Sequence, residues 1–356
     1  MTASGAGSVA IRTRILLSVV CVGTLTLALW FHHTRAAGLV SVKPDPVSAT
    51  LDPATLAQRA QERPDSLQAQ LDYGEMLVKM GRLDEAASVF THCQQMAAGD
   101  SRPYAWLGFL AASAHDSREA RRLFGEALSR NADDLTALRG LANLDAQARR
   151  VHHAVAGFAH IIRLQPKDAD AWQRLGILCM ADRQFDRSLG ALSTAATLDP
   201  NDLVTSRFLG IVQLHAGRVE EATRSLNAVL ARQPEDAEAR AALANAMMRL
   251  DSSPMGLTAA EQQANECLRT RPIAEGYRTR GQIYTAQRRF QEAIQDYQTA
   301  IKMEPNTRYA YLLLSQCAAS AGKPDMARKA SAEYQRLTRE LLIRDKTPSK
   351  RADPAP

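Results

Sequence analysis

Aspartate recurs in this chain every 34 residues, at Asp100, Asp134, Asp168, Asp202 and Asp236, and Pro166, Pro200 and Pro234 repeat at the same spacing two residues ahead of it. A fixed period of this length admits few architectures, because each period must be one supersecondary unit stacked on the next. Each Asp precedes an apolar-periodic stretch, where its carboxylate can cap free helix N–H groups. Each Pro follows such a stretch and prevents its continuation. Two helical stretches fit between successive marks. In the block 203–236, Leu209, Gly210 and Gln213 belong to the first and Ala222, Leu226, Val229 and Leu230 to the second, with Gly217 between them. One such hairpin cannot bury its own apolar face, so neighbours must stack.

The spacing resembles that of the tetratricopeptide repeat family, with its pattern W-x2-L-G-x2-Y, A-x3-F and P. Trp172, Leu175 and Gly176 match, with Cys179 in place of the tyrosine; Tyr104, Leu107, Gly108, Ala120 and Phe124 match in a second block. Tyr277, Gly281, Tyr284, Ala293, Tyr297 and Pro305 match in a third. Used as a ruler, the pattern marks eight repeats: 67–100, 101–134, 135–168, 169–202, 203–236, 237–273, 274–307 and 308–341, roughly three quarters of the chain. The block 237–273 is longer, and Asp251 to Gly256 are expected to expand its internal turn. Ser188 and Leu192 stand where Ala and Phe are usual. The resemblance implies an all-α, right-handed α-α superhelix, a tetratricopeptide-repeat solenoid occupying 67–344. A capping helix is expected at 54–66, a capping helix closes the other end through Tyr334, Leu337, Leu341 and Leu342, and 345–356 reads as a polar, proline-rich disordered tail.

Ahead of the repeats, Ile15 to Phe31 carry no charge, with Arg12 and Arg14 before the run and Trp30, His32, His33 and Arg35 at its far edge. The segment 15–33 reads as one transmembrane helix following a cytoplasmic segment 1–14, and 34–53 reads as a linker. The alternative is a signal sequence cleaved near Ala36, giving a secreted protein. The arginine flank places the N-terminus inside and the repeats outside the cytoplasm, in a periplasm-like space, as a single-pass membrane protein.

Composition excludes other classes. Hydrophobic residues are 46% and charged residues 23%, as in folded proteins, and aromatics are 5%. The net charge of +6 sits at the ends: 1–50 contribute +3 and 344–356 contribute +2, so the repeats are close to neutral. A nucleic-acid binder concentrates positive charge on its folded part, so nucleic acid is not an expected partner. The five cysteines, Cys21, Cys93, Cys179, Cys267 and Cys317, are too far apart for a compact metal knuckle and read as buried apolar groups. His152 and His153 are adjacent and so do not share a helix face, and His160 lies seven residues on; no HExxH, GxSxG or phosphate-loop motif occurs. No catalytic residue, cofactor or metal is expected.

What remains is a surface. In the family, the first helix of each repeat lines a groove that takes peptides or partner helices. By position this implies Phe109, Arg139, Asn143, Ile177, Met180, Arg207, Ile211, Leu214, Asn245, Met248, Arg278, Gln282 and Gln316 as groove residues. Asn143, Asn245, Gln282 and Gln316 share one repeat position, where amides can pair with a ligand backbone. With Arg139 and Arg207, the mixture suits an apolar peptide with some acidic character. Arg139 and Asn143 resemble the start of the chaperone carboxylate clamp, but Arg174, Val204 and Phe208 stand where the clamp needs its remaining groups, which excludes that site. The expected function is a membrane-tethered scaffold for protein–protein contacts in assembly of a bacterial envelope complex. The alternative is a component of an exopolysaccharide or secretion apparatus that docks glycan or a glycan enzyme.

Overall fold

The computed structural model describes residues 52–346, with side chains through Glu340. The described residues form seventeen α-helices and no strand. No described helix is long and apolar enough to cross a membrane. The uncharged run 15–31, the adjoining linker through Leu51 and the tail from Thr347 lie outside the described residues.

Two compact units divide between Asn201 and Asp202. The first holds α1 (Pro53–Glu62), α2 (Leu67–Lys79), α3 (Leu83–Met96), α4 (Arg102–Ser113), α5 (Ser117–Arg130), α6 (Leu135–Gln147), α7 (Val151–Leu164), α8 (Ala169–Ala181) and α9 (Phe185–Leu198). The second holds α10 (Leu203–His215), α11 (Val219–Arg232), α12 (Ala237–Leu250), α13 (Pro254–Thr270), α14 (Ala274–Ala286), α15 (Phe290–Met303), α16 (Arg308–Ser320) and α17 (Pro324–Lys346). From α2 onward, helices pair as hairpins, and within each unit contacts run mainly between neighbours in sequence.

The recurring aspartates start the first helices. Asp134, Asp168, Asp202 and Asp236 are N-caps whose carboxylates accept backbone N–H groups of the first turn. Asp100 departs from the pattern: Ser101 is the N-cap of α4, and the Asp100 carboxylate accepts the Arg102 N–H at 2.9 Å from one position further out. The aromatic at the fourth position closes the incoming turn, as the Trp172 indole donates to the Pro166 carbonyl at 2.9 Å and the Tyr104 hydroxyl to the Ala98 carbonyl at 3.2 Å.

The turn inside every hairpin except α12–α13 is equally uniform. The N–H of Arg82, Asp116, Arg150, Gln184, Arg218, Arg289 or Lys323 reaches back to the carbonyl five residues earlier at 2.8–2.9 Å. That closure needs a left-handed residue just before it. Gly81, Gly217 and Gly322 supply it without strain, while His115, Arg149, Arg183 and Arg288 adopt it at φ 57–64°.

Where the helices of a hairpin cross, a small residue meets a large one. A Cβ on Gly108 would lie 2.8 Å from Phe124 Cδ1, and one on Gly281 2.7 Å from Tyr297 Cε1. Phe90, Phe124, Phe158 and Tyr297 are fully buried at these crossings, each contributing about 1.5–3 kcal/mol. Leu192 fills the same place opposite Gly176, and the buried Ser188 hydroxyl is satisfied by the Gly176 carbonyl at 2.7 Å.

The long repeat corrects one expectation. Its internal turn is only Asp251–Ser253; Pro254, Met255 and Gly256 enter α13, which has 17 residues against 14 in α11 and α15. Ser253 caps α13 by accepting the Gly256 N–H at 3.2 Å, and proline suits the first helical turn, so the extra residues lengthen the helix. At the ends, α1 buries Leu56 and Ala60 against α2. The segment Met326–Ala330 of α17 covers Leu314, Cys317 and Ala318 of α16.

Candidate functional site

The first helices of the hairpins carry every groove position expected from the sequence. In the first unit, Phe109 on α4 is half-buried and packs edge-on against Trp106 at 5.7 Å. On α6 and α8, Asn143 and Met180 are half-buried and Ile177 is buried. Arg139 is only 8% exposed. Its guanidinium bonds the carboxylates of Asp168, the N-cap of α8, and of Asp170. Arg174 holds both Asp170 oxygens at 2.8 Å and donates to the Asn143 amide oxygen at 3.2 Å.

In the second unit the pattern recurs. Arg207 on α10 is buried, and one of its nitrogens lies 2.8 Å from Asp236, the N-cap of α12, and 2.9 Å from Glu238. Its Nε is buried without a hydrogen-bond partner. The N-cap carboxylate therefore works twice: one oxygen of Asp236 accepts the Ala239 N–H at 2.9 Å, and the other ties α12 to α10. At the other end of α12, Arg249 donates to the Leu214 carbonyl at 2.7 Å. Arg278 on α14 pairs with Glu275, and its guanidinium lies 5.6 Å from the Tyr309 ring. Burial pulls the Arg278 pKa below the usual arginine range.

Three neutral groups form a row across successive first helices. Asn245 on α12 donates to the Gln282 amide oxygen on α14 at 3.3 Å, and Gln282 donates to the Tyr309 hydroxyl on α16 at 3.2 Å. Beside this row, Ile211 and Met248 are half-buried, Leu214 is buried and Gln316 is exposed.

The repeat ruler located the first-helix positions but not their pairings with Asp170, Arg174, Asp236, Glu238 and Tyr309. A signal for two of them was present: Arg139 and Asp170, like Arg207 and Glu238, are 31 residues apart. Among the described residues, no group of three or more His, Cys, Asp and Glu is placed to hold a metal ion. The four cysteines among the described residues are buried free thiols; burial pushes Cys93 and Cys267 up to about 11, and Cys179 and Cys317 upward as well.

Comparison with known proteins agrees with the helix-hairpin fold. Two models described as Tetratricopeptide repeat match residues 179–246 and 274–307. Superkiller protein 3 of Schizosaccharomyces pombe is 29% identical over 110 residues, 31% of this chain, and the match spans 8% of that protein's length. A crystal structure of a tetratricopeptide repeat protein from Parabacteroides merdae is similar over 70% of this chain and 98% of its own, with TM-score 0.51 and 17% identity. The structure of the APC/C hetero-tetramer Cut9-Hcn1 is similar over 83% of this chain and 58% of its own, with TM-score 0.53 and 14% identity. At these identities the structural likeness speaks for the fold. Helix pairs of this spacing, the two matching models and the solved structures together show that the chain carries tetratricopeptide repeats.

Proposed function

We propose that this protein is a non-catalytic scaffold that holds segments of partner proteins on the first-helix faces of its hairpins. The observation that carries the reading is the row Asn245, Gln282 and Tyr309. Each amide has two N–H donors and an acceptor oxygen, and the bonds within the row leave capacity on both for a ligand backbone. The half-buried Ile211 and Met248 supply apolar area for anchoring side chains. A photo-crosslinking residue at Met248 in the full chain tests this. It is expected to capture a protein partner in the host cell, whereas the same residue at Glu221, in the first turn of α11, is not. Capture from Glu221 alone would move the function to the second helices.

The same reading tethers the scaffold to a membrane through residues 15–31 and places the repeats outside the cytoplasm, in assembly of an envelope complex. What supports it is the uncharged run and its Arg12/Arg14 flank. An export-dependent reporter fused after Pro356 is expected to be active, and an inactive reporter in a well-expressed fusion would overturn the topology.

A further inference from the structure

We infer that the face of α10, α12, α14 and α16 selects an extended, uncharged peptide segment with apolar side chains, and not the acidic segment its arginines suggest in the sequence. The inference rests on the reading of this face as a peptide-binding surface and names the ligand class.

The charges at the groove positions of these helices are already paired. Arg207 is held by Asp236 and Glu238, and Glu238 also by Arg271 at 2.8 Å. Arg278 pairs with Glu275, and Arg280 grips Asp296 with two bonds of 2.7 and 2.8 Å. Arg249 donates to the Leu214 carbonyl, and Arg240 to the Gln263 amide and the Pro234 carbonyl. The two arginines at groove positions, Arg207 and Arg278, are thus held by carboxylates, while Arg240 and Arg249 bond neutral groups and Arg308 lies at the start of α16. An acidic ligand could recruit Arg207 only by drawing it from two carboxylates, one of them the cap of α12. Breaking a buried pair leaves an uncompensated charge and is strongly unfavourable. An acidic side chain laid beside Arg207 or Arg278 would lose water and gain no free cation.

The face offers neutral groups. The Asn245–Gln282–Tyr309 row runs in one direction, each side chain donating to the next. Tyr309, 45% exposed, ends the row with a hydroxyl whose proton is left to donate outward. A peptide backbone, with its alternating N–H and C=O groups, complements such a row without bearing charge. Packed helices lie about 8–10 Å apart, and an extended chain rises about 3.1–3.3 Å per residue. About three ligand residues therefore pass each first helix, so apolar anchors toward the half-buried Ile211 and Met248 on successive first helices lie about three positions apart.

Panning a phage-displayed library of random dodecapeptides against the full chain tests this, with affinities of enriched peptides measured by fluorescence anisotropy. Enriched peptides are expected to lack net negative charge. Their Kd is expected to change less than about twofold over a tenfold range of ionic strength, since screening acts on charge pairs. The Asn245→Ala/Gln282→Ala variant, with helix content checked by circular dichroism, is expected to bind them at least about tenfold more weakly. Acidic, salt-sensitive peptides that the double variant loses would overturn the neutral ligand and leave the face standing. No enrichment, or peptides that bind the double variant as tightly as the parent, would overturn the face and the inference together.

Discussion

Four residues pay a conformational penalty that glycine avoids at the same turn position. Arg183 sits at φ 61° where Gly217 sits at φ 78°. The left-handed region costs a non-glycine residue about 1–2 kcal/mol, partly offset by the freedom glycine gains on unfolding. Arg183→Gly is therefore expected to stabilise the fold by up to about 1 kcal/mol in urea titration, while Gly217→Ala lowers stability by about as much. At the hairpin crossing the direction reverses. Gly281→Ala places a methyl against the Tyr297 ring and is expected to cost about 1–3 kcal/mol, with part of the loss recovered when Tyr297→Leu is added. The thiols offer a pH test. Cys93 and Cys267 titrate near 11 when folded, above their unfolded value. Above about pH 9 the unfolded chain holds fewer thiol protons, so stability falls as pH rises, by up to about 1.4 kcal/mol per pH unit for each thiol until it titrates in the fold. Denaturation at a series of alkaline pH values should show this slope, and the Cys93→Ala/Cys267→Ala variant should have a shallower one, with Cys179 and Cys317 still raised.

At the scale of the element, the N-cap aspartates join two jobs that usually belong to different residues. Asp236 starts α12 and anchors Arg207 of α10, so its loss should both fray a helix and strand a buried guanidinium. The terminal helix is the second case. Met326, Ala327 and Ala330 of α17 cover the apolar side of α16, and nothing later in the described chain repeats that cover. A chain stopped at Gly322 exposes Leu314, Cys317 and Ala318, at about 25 cal/mol per Å² of apolar surface. Differential scanning calorimetry and sedimentation are expected to show a lower melting temperature and increased self-association. A truncated chain that melts like the parent would show that α17 is no cap.

At the scale of the whole molecule, stacking of near-identical hairpins within each unit makes stability a sum of local terms, each interface touching mainly its neighbours. Within the first unit, Phe158→Ala empties a fully buried site in α7 and is expected to cost about 3–5 kcal/mol. Hydrogen exchange should then lose protection across α6 to α9 and retain more of it in α1 to α3; uniform loss over the unit would show tighter cooperativity than nearest-neighbour stacking allows.

Sequence by itself determined the repeating hairpin. Its signals are local: an Asp that caps the helix it begins, a Gly that bends back over five residues, and small and large residues timed to the crossing of two adjacent helices. Each signal acts within one 34-residue period, so it can be read without knowing what lies beside it. Tertiary structure alone decided where the long side chains go. Arg139 and Arg207 read from sequence as basic groups open to a ligand, yet stacking brings carboxylates 29 and 31 residues away within reach of each guanidinium. It likewise joined Asn245 to Gln282 and Gln282 to Tyr309, and sent the three extra residues of the long repeat into α13. The reason is physical: capping and turn formation depend on backbone conformation within a few residues, whereas a flexible side chain takes whichever partner the neighbouring helix presents once the helices have packed.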